Sequence, residues 1–229
     1  MCVFSTQFLR RAILGMALLV ATHASSSASI LFQTGNQQYN QVNLTSTAPT
    51  AYTVLGHVRD IANALVEVQF RGYGSDQQSP VLLRSRNGAA SIERVTAGSL
   101  YQLVISVEPG FVMTAGDFAL DQENRLPDGS VSFAAYTYDD KLVDQDPASP
   151  ASFLLRAKGQ NVFNFTAVKP DGVTKLVITS LQPLADFKQL TLEVEDPPLP
   201  ESTPEPGSLL TLAGVFSCWP LLHRRKRSR

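Results

Sequence analysis

The chain has 229 residues, of which 44% are hydrophobic and 17% charged, with a formal net charge of −1; that length holds one large domain or two small ones. The balance is uneven: seven of the 19 basic residues stand at Arg10–Arg11 and Arg224–Arg229, while all 20 acidic ones lie between Asp60 and Glu205, leaving the body at a formal charge of about −8. Such a body repels nucleic acid. With Cys2 and Cys218 confined to the two ends and His57 the single histidine between them, disulfides and zinc sites of the usual His/Cys kind are excluded by count.

The first 28 residues read as a secretory signal. Arg10 and Arg11 form a positive start, Ala12–Ala21 an apolar stretch, and small residues follow, with cleavage points after Ala24 or after Ala28. Signal segments are removed and are not fold.

Residues 30–195 alternate with a period of two. Val66, Val68 and Phe70 face away from Glu67, Gln69 and Arg71; Tyr101, Leu103, Ile105 and Val107 form one apolar row; Phe163, Phe165 and Ala167 stand opposite Asn164 and Thr166; Leu190, Leu192 and Val194 alternate with Thr191, Glu193 and Glu195. This is the pattern of a strand with one face on a core and the other on water. Asn87-Gly88, Asp128-Gly129 and Asp171-Gly172 supply turn signals between the runs. No window has the spacing of a long amphipathic helix. Ten or more short strands in this length predict an all-β fold, a two-sheet β-sandwich with a jelly-roll-like arrangement.

Residues 196–206 carry five prolines in eleven positions, which makes an extended, semi-rigid spacer. Its last three residues are Pro204, Glu205 and Pro206. Residues 207–222 contain no charge, and 223–229 end the chain with Arg224, Arg225, Lys226 and Arg227. A helix through the apolar stretch would reach about 24 Å at 1.5 Å per residue, short of the hydrocarbon core of about 30 Å. The expected result is a weak anchor and an adequate stop-transfer element, oriented by its basic end toward the cytoplasm. The body is then placed outside, between a signal helix and a short transmembrane helix.

That tripartite tail resembles the PEP-CTERM sorting signal of exported proteins in Gram-negative bacteria. Pro204, Glu205 and Pro206 match the name-giving triplet, Gly207–Leu222 the membrane segment, and Arg224–Arg227 the basic stop-transfer end. The resemblance implies handling by signal peptidase and Sec-type export machinery, transient inner-membrane insertion, and cutting near the triplet by an exosortase. Release to the cell surface or extracellular matrix follows, often in organisms that make exopolysaccharide. It covers about the last 26 residues. A second likeness concerns the body: the stretches starting at Asn87, Leu100, Gly159 and Leu184 resemble segments of uncharacterised β-sandwich proteins that carry such a tail. It supports the fold and supplies no activity.

Four constellations offer chemistry. His57 with Ser106 or Ser132 would make a base–nucleophile pair, but no Gly-x-Ser-x-Gly elbow is present and a lone surface or strand-end histidine is the favoured reading. Asp117, Asp121 and Glu123 offer a carboxylate pair for a glycosidase, against the plain reading of solubilising surface acids. Asp139, Asp140, Asp144 and Asp146 offer hard oxygen ligands for Ca²⁺, but without the spacing of a known loop, and a solvated acidic loop is the favoured reading. Tyr136 and Tyr138, read as sharing a strand face opposite Val131, Phe133 and Ala135, are candidate sugar contacts, against ordinary cross-strand packing. The expectation is a non-catalytic surface or matrix protein that associates with polysaccharide and needs no cofactor. A glycan hydrolase and a Ca²⁺-dependent adhesive module are the alternatives.

Overall fold

The computed structural model describes residues 29–196, apart from 46–49, 87–90, 96–98, 124–125, 159–160 and 169–171. The signal segment, the Pro-Glu-Pro triplet, the apolar stretch, the basic end and the Asn87-Gly88 turn lie outside the described residues. The chain divides after Pro197 into two units, and the second, Pro198–Arg229, also lies outside them.

Every regular element among the described residues is a strand. In chain order these are β1 (Ser29–Thr34), β2 (Asn40–Gln41), β3 (Asn43–Leu44), β4 (Thr53–Arg59), β5 (Leu65–Tyr73), β6 (Pro80–Val81), β7 (Leu83–Arg86) and β8 (Ser91–Arg94). The remainder are β9 (Leu100–Val107), β10 (Val112–Gln122), β11 (Gly129–Tyr136), β12 (Asp144–Gln145), β13 (Phe153–Leu155), β14 (Asn161–Val168) and β15 (Lys175–Glu195). The all-β expectation holds. None of the described residues forms a helix long and apolar enough to cross a membrane.

The strands join in one large mixed sheet with the path β12-β1-β14-β10-β15-β9-β5-β4-β3. The β1–β12 pair is parallel, and the neighbouring β1–β14 pair antiparallel. Local chemistry sets the hairpins. Between β4 and β5, Asp60 accepts from the Ala64 N–H through Oδ1 at 2.6 Å, and Asn63 takes a left-handed φ of 67°. Asp and Asn suit those two places, since one bonds its own turn and the other tolerates positive φ. The Asp128-Gly129 signal marks something else. Gly129 opens β11 without positive φ, where an added Cβ would lie 2.4 Å from Gln182 Cγ.

The organising element is β15, with 21 residues. Its first part, Lys175–Ser180, lies between β9 and β11. Its second part, from Leu184 onward, pairs with β10 on one side and, on the other, with β9 at Leu184 alone and then with β8 and β2. The register on β9 shifts between Thr179 and Leu184. Pro183 stands in that interval, lacking the N–H a continuous ladder requires.

Alternation decides the core. Val66, Val68 and Phe70 of β5, Leu103 and Ile105 of β9, Leu176 and Ile178 of β15, and Phe133 and Ala135 of β11 are all buried. Phe133 is the hub of an aromatic cluster, with centroids 5.1 Å from Phe32, 5.2 Å from Phe153 and Phe163, and 5.5 Å from Phe118. Such offset and edge-on pairs add to the burial of each ring.

Candidate functional site: a polar trough across β5, β9, β15 and β11

The side chains opposite the core on these four strands line up in three cross-strand rows. The first is Tyr73, Gln102, Thr179 and Ser132; the second is Arg71, Val104, Val177 and Ala134; the third is Gln69, Ser106, Lys175 and Tyr136. Neighbouring strands are about 4.8 Å apart, so side chains in one row reach one another. Together with Gln77 and Asp140, members of these rows line an open trough of about 680 Å³. That size suits a small ligand or a short length of polymer.

The lining has a distinct chemistry. Val104 and Val177 give a small apolar floor, and Gln69, Gln77 and Gln102 surround it with amides that donate and accept. Gln102 Nε2 donates to Thr179 Oγ1 at 3.2 Å and to Gln77 Oε1 at 3.3 Å, and Gln69 Nε2 donates to Glu67 Oε1 at 2.9 Å. At one end the Lys175 ammonium bonds Asp140 at 2.5 Å and lies 4.5 Å from the centroid of the Tyr136 ring. One face of Tyr136 is therefore already occupied by a cation.

The two candidate tyrosines part company. Tyr136 ends β11 and lines the trough, whereas Tyr138 is 74% exposed in the turn beyond and is not in the lining. Asp140 takes a φ of 56° and donates its N–H to the Thr137 carbonyl, which closes the chain into a turn and removes Tyr138 from the strand face. The trough's other tyrosine is Tyr73, brought in by β5.

The aspartates that follow are engaged separately. Asp139 pairs with Lys141 at 3.5 Å, Asp140 with Lys175, and Asp146 Oδ1 accepts from the Ala148 N–H at 2.8 Å, while Asp144 is exposed in the short β12 pairing. Among the described residues no three His, Cys, Asp or Glu side chains are placed to hold a metal ion. His57 Nδ1 lies 2.9 Å from Thr45 Oγ1, and Ser132 Oγ donates to the Thr179 carbonyl at 3.4 Å. No hydrogen bond joins His57 to either candidate serine among the described residues.

Asp117, Asp121 and Glu123 all belong to β10 or its end, in three different settings. Glu123 pairs with Arg94 at 2.5 Å. Asp121 bonds Lys188 at 2.7 Å, and Lys188 also reaches Asp186 at 3.0 Å; the Asp121 bond holds the Lys188 ammonium above its ordinary value. Burial pushes the Asp186 carboxyl up. Asp117 is 4% exposed, in the row Asn164–Asp117–Thr191. Residues 35–39 approach this row: the Gln37 N–H bonds Asp117, Asn164 Nδ2 donates to the Gly35 carbonyl at 3.2 Å, and Tyr39 bonds Thr166. Burial raises the Asp117 carboxyl to about 6. Its Oδ1 and the Thr191 Oγ1 are both buried without a hydrogen-bond partner.

No family model matches the chain, and no curated protein does. Among solved structures, the enzymatically active domain of bacteriophage CBA120 tailspike protein 4 is similar at 13% identity and a TM-score of 0.20. The match covers 73% of this chain and 19% of that one. At that score it carries no argument about fold or function.

Proposed function

We propose that this chain is an exported, non-catalytic surface or matrix protein whose β-rich body holds polysaccharide along the trough. The observation that carries the reading is the lining itself: three glutamine amides, two tyrosines and a two-valine floor on one open face. Hydroxyl-rich rings need paired donors and acceptors beside a small apolar platform, and this lining supplies both. The carboxylates a hydrolase would use are engaged elsewhere: Asp117 is buried, Asp121 is paired with Lys188 and Glu123 with Arg94.

The body is proposed to be a two-layer sandwich. In this arrangement β11, β9, β5 and β4 form one layer with the first part of β15, and β1, β14 and β10 form the other with its second part. Support comes from the ring contacts of Phe133 with Phe32, Phe118 and Phe163, which join strands from the two groups. Export rests on the tail: Pro204, Glu205 and Pro206 before a 16-residue uncharged stretch and a basic end, the PEP-CTERM pattern of an exosortase substrate.

Two measurements test these parts. Tagged full-length protein in an exosortase-bearing Gram-negative host should lose its tail, by intact mass, and reach the surface or medium; deleting Pro204–Pro206 should leave it whole in the inner membrane. Retention of the tail in the mature product removes the sorting claim. Affinity electrophoresis in polysaccharide gels should show retardation that Gln102→Ala and Tyr136→Ala each weaken, and retardation unaltered by both moves the site elsewhere.

A further inference from the structure

The trough holds a cation without a counter-charge. Lys141, Lys175, Lys188 and Arg94 each pair with a carboxylate. Arg71 is exposed in the trough lining and makes neither an ion pair nor a hydrogen bond with any described residue. Its cross-strand neighbours, Thr53 and Val104, are uncharged. The one carboxylate in the lining, Asp140, is already matched by Lys175. The lining thus carries Arg71 and Lys175 against the single carboxylate of Asp140, with Glu67 at its edge bonded to Gln69, in a body of 12 basic and 20 acidic residues.

We infer that the trough selects an acidic polysaccharide, with Arg71 receiving the carboxylate of a uronic acid residue. The inference rests on the glycan reading above and adds the charge of the ligand. A guanidinium presents two parallel N–H donors matched to a carboxylate, and over an apolar floor that pairing is worth more than it would be in open water. Arg71 flanks Val104, so a ring lying on Val104 and Val177 would bring an equatorial carboxylate toward the guanidinium while its hydroxyls meet Gln69 and Gln102. Lys175 stands two strands away in the adjacent row, about 12 Å off at the ordinary strand spacing and rise per residue. A second carboxylate on the same polymer would compete there with Asp140.

The test is titration calorimetry of the full-length protein with oligogalacturonate and with a neutral oligosaccharide of matched length, at low and physiological salt. Oligogalacturonate is expected to bind at least about tenfold tighter, as a hydrogen bond to a charged group commonly gives, and the advantage should shrink with salt. Arg71→Ala should erase the preference, and Arg71→Lys should restore only part of it, with unchanged urea midpoints showing that both variants fold. Equal affinity for the two oligosaccharides, or a preference that survives Arg71→Ala, overturns the inference and leaves the glycan reading standing. Binding of neither ligand overturns both.

Discussion

Between pH 4 and 6 the fold works against the ionisation of Asp117. Its carboxyl titrates at about 6 in the folded chain against an ordinary 3.8, so the folded state holds the proton more tightly than the unfolded one. The stability this confers is fully present below the unfolded value and is lost as pH rises through about 6. Asp117→Asn keeps an acceptor for the Gln37 N–H, removes the titration, and offers a donor toward the orphaned Thr191 hydroxyl. The difference in urea midpoint between wild type and Asp117→Asn should therefore move in the variant's favour from pH 4 to pH 7. A difference that stays flat over that range would mean that Asp117 is solvated. Phe133 poses the complementary question of packing. Truncation to alanine abandons four ring contacts at once and should cost about 3–5 kcal/mol, read from chemical denaturation; a loss below about 1 kcal/mol would show that the cluster closes over the gap.

Which residues line the trough was half legible at this scale. Gln69 and Arg71 were expected to face water because Val66, Val68 and Phe70 alternate with them, and they do. Their convergence with Gln102 and Lys175 was not legible, since it depends on which strands pair and in which register. Asp117 was misread as a surface acid for a related reason. Strand β10 is buried nearly throughout, so no alternation marks its faces, and a chain segment far away in sequence approaches its polar side.

At the scale of elements, the turns and the bulges diverge from simple periodicity. Asp117 pairs with Thr191 and Ala119 with Lys188, so β15 carries one residue more than β10 in that interval, and Gln189 takes a φ of 55°. This is a bulge built on a left-handed residue. A β-branched side chain there is strained, and Gln189→Val should lower stability by about 1–2 kcal/mol, whereas Gln189→Gly should not. Equal losses in the two variants would place the requirement in the glutamine side chain instead. Gly116 meets a different limit, because an added Cβ would lie 2.8 Å from the Thr191 carbonyl oxygen, where backbone cannot yield cheaply. The loop from Asp139 to Asp146 is held by ion pairs and a turn cap of its own, so EDTA should leave the melting temperature unchanged. A fall on chelation, reversed by Ca²⁺, would restore the adhesive reading.

For the molecule as a whole, period-two alternation foretold the all-β class, and composition foretold how it is held together. A body without cysteine must be stabilised by its core, and the buried rows of β5, β9, β11 and β15 supply one. The Lys175–Glu195 segment was recognised only at its end, from Leu190 to Glu195, because Pro183 and the bulge interrupt its alternation in the middle. Since its two parts border different neighbours, deletion of residues 181–195 should abolish cooperative unfolding altogether, as followed by near-ultraviolet circular dichroism. Survival of a cooperative transition in the remainder would show that the β11, β9, β5 and β4 ladders are self-sufficient.

The position of β15 in the chain also constrains the order of events at birth. The ladders of β2, β8, β9, β10 and β11 with β15 wait on a strand that follows every other described strand in the chain, so a body delivered from its amino end stays open until that strand arrives. Unpaired edges of β9, β10 and β11 are exposed in that interval, which a chaperone or a narrow conduit would have to shield. For the exported body proposed above, lateness of the closing strand would keep the chain in a threadable form for as long as threading is under way.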